Sequence, residues 1–155
     1  MAITVLVVDD EAGFRDEAVV FLAHRGFEVI GVPTMTELRK LVEQGIGDVI
    51  LLDVMLPDGY GPNLLLEMQE NVLRPPVILI TAYPNLEMAV EAMKNGAMDF
   101  LSKPIDFSRM VAAVQRASEL VEMRRELLMA RQNRQVQMDY VQGKSPVMQQ
   151  LFKDA

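Results

Sequence analysis

Short, nearly continuous apolar runs alternate along the chain with segments of helical periodicity. The runs are rich in Val, Ile and Leu and rarely alternate with polar residues, which is typical of strands covered on both faces. We therefore predict five strands, at residues 3–8, 27–32, 48–52, 77–80 and 98–102. Helices are predicted between them, at residues 11–25, 35–44, 62–71 and 85–95. Five β/α units with short connections predict an α/β fold, a doubly wound five-stranded parallel sheet with right-handed crossovers.

Capping residues mark the predicted ends of several helices. Thr34 is followed three residues later by Glu37, which is a capping-box pattern and predicts the start of the second helix. Gly26 and Gly96 follow the first and fourth helices, where glycine is favoured because it readily adopts the left-handed conformation. Local residues thus favour the same helix boundaries as the apolar pattern.

A long helix is predicted after Pro104, where the alternation of strands and helices ends. Asp106 can cap this helix, and its pattern runs from residue 107 well past residue 130, further than covering the sheet requires. Its later part carries apolar residues at alternating spacings of three and four, namely Leu120, Met123, Leu127 and Ala130. This spacing predicts a short coiled-coil seam. An exposed amphipathic tail is the alternative.

The last residues indicate the start of another element. Residues 132–142 are polar and predict a fraying linker. Ser145 followed by Pro146 is a favourable pair for beginning a helix, and the sequence stops ten residues later. Because a natural domain seldom ends just as it begins an element, we expect the chain to be a fragment of a longer protein, cut within its next domain.

Composition narrows the classes of function. The chain has 155 residues, half of them apolar, which suits one domain with an appendage. It has no cysteine, which excludes disulfides and thiol chemistry and fits a reducing cytoplasm. Its net charge of −7 argues against direct nucleic-acid binding, because that requires a basic surface. No run approaches the roughly 20 apolar residues of a membrane span, and no signal-peptide pattern is visible, so we expect a cytoplasmic location without membrane contact.

Four of the apolar runs end on residues that could handle a phosphoryl group. The first ends on Asp9 and Asp10, the third on Asp53, the fourth on Thr81 and the fifth on Lys103. The carboxyl ends of parallel strands line one edge of a sheet, where open α/β folds place their ligands. Each residue alone has an ordinary explanation, such as a turn, a helix cap or a solvated charge. Together they predict three carboxylates, a hydroxyl and an ammonium converging at one site.

This set predicts phosphoryl chemistry supported by a metal. Clustered carboxylates repel one another, and a hard cation such as Mg²⁺, or Mn²⁺, resolves the repulsion with oxygen ligands. With the metal and Lys103 present, Asp53 can stay ionised and act as a nucleophile that forms an aspartyl-phosphate. Lys103 and the Thr81 hydroxyl can then stabilise the transferred group. His24 is the only histidine and lies in the first helical pattern, so a transition-metal site is not expected.

The motifs around these residues resemble those of the bacterial response-regulator receiver domain, over about residues 3–120. They are Val-Val-Asp9-Asp10-Glu11, Leu-Leu-Asp53-Val-Met-Leu-Pro57, Ile-Thr81-Ala82-Tyr83 and Phe100-Leu-Ser-Lys103-Pro104. Residues 89–100 are similar to the nitrogen-regulator (NtrC-like) branch. Residues 143–148 resemble the opening of the AAA+ ATPase domain of the sigma-54-dependent activators in that branch.

The resemblance implies a flavodoxin-like strand order, 2-1-3-4-5, and a role for each site residue. It implies that Asp53 accepts a phosphoryl group from a sensor histidine kinase. Asp10 would bind the metal directly, Asp9 through water or as support, and the Met55 carbonyl as a third protein ligand. It further implies that Thr81 and Lys103 bind the phosphoryl group, that Thr81 and Phe100 move together as a switch, and that the Lys103–Pro104 bond is cis.

The resemblance also implies how the chain is organised. Residues 1–120 would form the receiver domain, 121–142 a helical linker and 143–155 the start of an AAA+ domain. Phosphorylation would control homodimerisation and, through the AAA+ domain, sigma-54 RNA polymerase. The chain would be regulatory, acting as an enzyme only on its own phosphorylation and dephosphorylation. Neither a Walker-type phosphate loop nor a helix-turn-helix pattern occurs in the sequence, so ATP hydrolysis and DNA binding are assigned to other parts.

Three other classes compete with this interpretation. A phosphorylation-independent receiver-like interaction module would not need the acids at the strand ends. An aspartyl-phosphatase of the haloacid-dehalogenase class would need Asp-x-Asp-x-Thr/Val after the first strand, whereas this chain has Asp9-Asp10-Glu11-Ala12-Gly13. A flavin carrier would need a Ser/Thr/Gly-rich phosphate loop there. One departure from the resemblance is Pro84, where the branch often has glycine, which predicts a stiffer loop after Thr81.

Overall fold

The computed structural model of the chain describes residues 2–141. The chain divides into two compact units, one that ends at Val121 and one that begins at Glu122. The predicted start of an AAA+ domain at 143–155 lies outside the described residues. The elements are β1 (Thr4–Val8), α1 (Ala12–Ala23), β2 (Glu28–Val32), α2 (Met35–Glu43), β3 (Val49–Asp53), β4 (Met55–Leu56), β5 (Gly59–Tyr60), α3 (Asn63–Glu67), β6 (Val77–Thr81), α4 (Leu86–Lys94), β7 (Asp99–Ser102) and α5 (Phe107–Val141).

The main sheet has five parallel strands in the order β2-β1-β3-β6-β7. Because β4 and β5 pair only with each other, this is the order 2-1-3-4-5 of the five predicted strands. The predicted α/β fold with a flavodoxin-like sheet is therefore confirmed. In the register, Val8 lies beside Leu52, and Thr81 lies beside Ser102. The strands that precede the predicted site residues consequently end at the same edge.

Apolar side chains cover both faces of the sheet, as the unbroken runs predict. Alternate strand residues such as Val7 and Leu51 belong to one core cluster, which also contains residues of α1 and of α5 up to Val121. Their neighbours, such as Leu6 and Leu52, belong to a second cluster with residues of α2, α3 and α4. Helices thus cover both faces of the sheet, so a polar site can form only at the ends of the strands.

The predicted helix caps are largely observed. The Thr34 hydroxyl accepts a hydrogen bond from the Glu37 N–H, at 3.2 Å. The Asp106 carboxylate accepts from the Ser108 N–H at the start of α5, at 3.0 Å. Asn85 caps α4 by accepting from the Glu87 N–H, at 2.8 Å; this cap was not predicted. The only histidine, His24, is exposed at the end of α1, as expected for a residue without a site role.

One local prediction was wrong, and one short element was not predicted. The third helix was predicted at 62–71, whereas α3 ends at Glu67. The Asn71 side chain accepts from the Leu73 N–H, at 3.1 Å, and such local bonds favour turns over helix. The short hairpin of β4 and β5 was not predicted, because its strands have only two residues each and leave no periodic signal.

The long final helix is confirmed, since α5 extends from Phe107 to Val141. Of the predicted seam residues, Leu120 is half-buried, whereas Met123, Leu127 and Ala130 are exposed. The coiled-coil seam stays a prediction, because a single chain leaves such a stripe exposed whether or not it pairs. No helix among residues 2–141 is long and apolar enough to cross a membrane.

Candidate functional site

Three carboxylates meet at the carboxyl ends of β1 and β3. Asp9 is fully buried and Asp53 is 7% exposed, whereas Asp10 is exposed. Carboxylate oxygens of the three residues lie within 4.8 Å of one another. The backbone of Asp9 is fixed on two sides, since its N–H donates to Val32 O at 3.1 Å and its carbonyl accepts from Arg15 Nη1 at 2.6 Å. The structure therefore brings together the acids that the strand ends predicted.

Lys103 extends from the end of β7 into this acidic cluster. Its Nζ donates to Asp9 Oδ2 at 2.7 Å and lies 3.5 Å from Asp53 Oδ2. The Lys103 N–H also donates to Thr81 O at 2.7 Å, which joins the ends of β6 and β7. The Lys103–Pro104 peptide bond is cis, as the resemblance implied. One ammonium thus contacts two buried carboxylates from distant parts of the sequence.

Burial and charge shift the acid–base properties of the site in a way that suits a reactive carboxylate. Burial, together with the negative charge of Asp9, raises the pKa of Asp53 to about 6 despite the opposing effect of Lys103. Burial alone would lower the pKa of Lys103, but its hydrogen bond to Asp9 and the charge of Asp53 outweigh that effect and raise it. Lys103 is therefore charged at neutral pH, whereas ionisation of Asp53 destabilises the folded state.

The loop after Asp53 is tightly built around a glycine. The Met55 N–H donates to Asp53 Oδ1 at 3.2 Å, and the Gly61 N–H donates to Val54 O at 2.7 Å. A Cβ on Gly61 would overlap the Asp53 carbonyl oxygen. The Met55 side chain is 60% exposed, so only the backbone of this residue is held close to the site. The close packing at Gly61 was not predicted from the sequence, although a glycine in a turn-rich loop is a weak signal for it.

Asp58 fastens the same loop to the start of α2. Its carboxylate accepts from the backbone N–H groups of Met35 and Thr36, both at 2.9 Å, and from the Thr36 hydroxyl at 2.6 Å. The Thr36 hydroxyl and the two N–H groups lower the pKa of Asp58 to about 2. The sequence did not reveal this cap, because Asp58 lies 22 residues from Thr36 and belongs to a different loop.

We expect Asp58→Asn to lower the thermal stability of the protein at pH 7 and to have little effect near pH 2. The pKa of Asp58 is depressed, so its contribution is present above the ordinary carboxyl pKa of 3.8 and is lost as the pH falls toward 2. Thermal unfolding of both proteins from pH 2 to 7 measures the difference. Asp16→Asn, at an exposed position on α1, is the control. An Asp58→Asn deficit that does not change with pH would contradict the assigned role of the charge.

Thr81 and Phe100, the two residues of the predicted switch, lie on the neighbouring strands β6 and β7. Thr81 is 1% exposed, and its hydroxyl accepts from the Tyr83 N–H at 3.1 Å, within the loop that follows β6. Phe100 is partly buried against the cluster that includes Ala92 of α4. It also lines a groove with Leu86 and Ala89. The roles predicted for Thr81 and Phe100 stay predictions.

A doubly wound sheet of this order, with acids and a lysine at its strand ends, defines a class of signalling domain. The chain belongs to the response regulator receiver domain family, whose family model matches residues 5–115. Receiver domains are regulatory parts of two-component systems, which agrees with the expectation that the chain is not a conventional enzyme.

The relatives point to the branch that the resemblance named. The chain is 35% identical over 152 residues to the regulatory protein AtoC of Escherichia coli (strain K12), covering 97% of this chain and 33% of AtoC. It is 32% identical to the DNA-binding transcriptional regulator NtrC of Azospirillum brasilense, covering 98% of this chain and 31% of that protein. The chain thus spans about a third of the length of these curated relatives.

A solved structure of the same branch is similar as well. The beryllofluoride-activated NtrC4 receiver domain dimer superposes with a TM-score of 0.71 at 35% identity, covering 76% of this chain and 98% of that one. The chain is therefore a receiver domain related to the NtrC-like sigma-54 activators.

Proposed function

We propose that this chain is the phosphoacceptor domain of a two-component response regulator and that Asp53 accepts the phosphoryl group from a sensor histidine kinase. The observation that carries the proposal is the position of Asp53, a nearly buried carboxylate beside Asp9 and Asp10 with Lys103 Nζ at 3.5 Å. Its pKa of about 6 leaves the carboxylate ionised and nucleophilic at neutral pH. The site combines carboxylate oxygens, which can bind a hard cation, with one ammonium, which can neutralise phosphoryl oxygens; this combination suits phosphoryl transfer.

The site residues fit a divalent metal. Oxygens of three carboxylates lie within 4.8 Å of one another, and two of these carboxylates are buried, so their mutual repulsion favours a hard cation such as Mg²⁺ or Mn²⁺. Asp10, Asp53 and the Met55 carbonyl would hold the ion, with Asp9 as support. When bound, the ion would neutralise negative charge on the phosphoryl oxygens.

In the proposed reaction, the phosphoryl group passes from the phosphohistidine of the kinase to Asp53. An Asp53 carboxylate oxygen attacks phosphorus, so a new P–O bond forms while the P–N bond of the phosphohistidine breaks. The electron pair of the broken bond stays on the imidazole nitrogen. Lys103 changes partner from the Asp53 carboxylate to the oxygens of the transferred group, and the Thr81 hydroxyl donates to the same group. Hydrolysis of the acyl phosphate by water returns Asp53 and inorganic phosphate.

The output is a change of surface and of association. In this proposal Thr81 moves toward the phosphoryl group, Phe100 turns inward behind it, and the face formed by α4, β7 and the first part of α5 changes. Two copies then pair, with Leu120, Met123, Leu127 and Ala130 as the seam. The NtrC4 receiver domain is a dimer in its beryllofluoride-activated form. In the full-length protein the dimer would act on an AAA+ domain and through it on sigma-54 RNA polymerase.

Incubation with acetyl phosphate and Mg²⁺ tests the proposal by intact mass. Wild type is expected to gain one phosphoryl group, and omission of Mg²⁺ or the change Asp53→Asn is expected to abolish the adduct. Asp48→Asn, immediately before the other end of β3, is the matched control and is expected to retain it. An adduct that persists in Asp53→Asn excludes Asp53 as the acceptor. No adduct on the folded wild type favours the phosphorylation-independent module instead.

A further inference from the structure

We propose that Phe14 is a positioning residue for Lys103 and that it holds the ammonium in the site through a cation–π interaction. Lys103 Nζ lies 5.1 Å from the centroid of the Phe14 ring, within the range in which such an interaction is significant. This inference deepens the proposed function and rests on it, because it assigns a task to Phe14 in the same phosphoryl transfer. No motif for the site includes Phe14, which lies near the start of α1.

The surroundings of the ammonium explain why such a contact is needed. Lys103 has a long, flexible side chain, and its side chain is only 15% exposed. Its two carboxylate partners are unequal, with Asp9 at 2.7 Å and Asp53 at 3.5 Å. Both partners would change during the proposed reaction, because Asp9 and Asp53 would face the metal and Asp53 would become an acyl phosphate, a mixed anhydride without the carboxylate charge. The ring face, unlike these two carboxylates, keeps its charge distribution throughout the proposed reaction.

The ring is itself held in place by aromatic neighbours. The Phe14 and Phe107 rings have centroids 6.2 Å apart and an interplanar angle of 24°. Phe107, the first residue of α5, stacks on Phe21 of α1 at 4.5 Å and 7°. Phe14 lies in the first turns of α1 and packs against the core cluster while remaining partly exposed. The start of α5 thus fixes the position of the ring, and the ring limits where the ammonium can lie.

The electron density of the Phe14 ring distinguishes a cation–π role from simple packing. If Phe14 only packed, changing that electron density would not change the rate of phosphorylation. Phenylalanine analogues with one, two and three fluorines keep the shape of the ring but progressively weaken its negative face. Incorporated at position 14, they are expected to lower the rate of phosphorylation by acetyl phosphate at saturating Mg²⁺, by about 3- to 10-fold for the trifluoro form. The same analogues at Phe27, which packs against the same core cluster, are expected to leave the rate unchanged. Equal rates across the Phe14 series would overturn the proposal.

A second measurement detects the contact without any phosphoryl transfer. The Lys103 side-chain methylene protons nearest Nζ are expected to resonate upfield in the NMR spectrum, because they lie by the Phe14 ring, and Phe14→Leu is expected to remove this shift. An identical shift in both proteins would refute the contact. If the contact is detected but the wild type forms no phosphoryl adduct, the proposed function fails, and the positioning role fails with it. If the adduct forms and the contact is absent, only the role of Phe14 fails.

Discussion

Asp53→Asn is expected to raise the free energy of unfolding of the metal-free protein at pH 7, by about 1–3 kcal/mol. The pKa of Asp53 is raised from 3.8 to about 6 by burial and by the neighbouring Asp9. The folded protein therefore pays a cost for an ionised Asp53 at neutral pH, which the unfolded chain does not. Asparagine keeps the size of the side chain and removes the charge, so the cost disappears along with the nucleophile.

The sign of the pH dependence follows from the same shift. Because the pKa of Asp53 is higher in the folded state, protonation of Asp53 stabilises the folded state below pH 3.8. This stabilisation is lost as the pH rises to about 6. The difference between Asp53→Asn and wild type should therefore be small near pH 4 and largest above pH 6. Urea denaturation across this range without divalent metal measures it. The same chemical change at Asp58, whose pKa is lowered, is expected to act in the opposite direction and serves as the control.

Adding Mg²⁺ should reverse the ranking of the two proteins. A ligand that binds only the folded state stabilises it by mass action, and the wild type has the full set of carboxylates for the ion. We therefore expect Mg²⁺ to stabilise wild type more than Asp53→Asn. If Asp53→Asn has a lower free energy of unfolding than wild type in metal-free buffer at pH 7, the ionised carboxylate does not destabilise the folded state and the prediction is contradicted.

Gly61→Ala is expected to destabilise the protein by about 1–3 kcal/mol, because an added methyl group must displace backbone. The new Cβ would overlap the Asp53 carbonyl oxygen and approach the Leu52 side chain at 3.2 Å. Neither neighbour is the mobile end of a long side chain, so relief requires the loop to move. We also expect weaker binding of Mg²⁺, since the displaced loop carries Met55. Denaturant unfolding and calorimetric titration measure the two effects.

Gly13→Ala provides the matched control for this substitution. Gly13 lies in α1, and a Cβ there would have no atom within 4 Å. Alanine is favoured over glycine inside helices by up to about 1 kcal/mol, so this change should be neutral or stabilising. If Gly61→Ala lowers the free energy of unfolding no more than Gly13→Ala does, the loop accommodates the added methyl group and the prediction is contradicted.

The fold could be predicted from the sequence because its signals are local and repeated. Runs such as 77–80 are apolar throughout, and the structure buries them on both faces. The predicted convergence of Asp9, Asp10, Asp53 and Lys103 rested on one geometric rule, that parallel strands end at the same edge. The order of the strands, in contrast, came from resemblance, since the apolar pattern alone does not distinguish neighbours in a sheet.

Contacts between residues distant in sequence could not be predicted in the same way. Asp58 received no role from the sequence, because nothing near it indicates that it caps α2. The contact between Phe14 and Lys103 joins the start of α1 to the end of β7, and either residue alone is ordinary. The end of α3 at Glu67 depends on the competing Asn71 turn, which an apolar period does not register. Such features depend on tertiary geometry, which only the folded chain defines.

In the proposed function, the single ammonium of Lys103 would also set an order of binding. Three carboxylates and one ammonium leave the site with an excess of two negative charges, which would repel an incoming phosphoryl donor. A divalent ion would cancel that excess, so the cation would bind first and the anion second. Because linkage is reciprocal, a phosphoryl mimic held at Asp53 would tighten binding of the cation by the same factor by which the cation tightens binding of the mimic. The charge of the acidic cluster would thereby make phosphorylation depend on the concentration of the divalent ion.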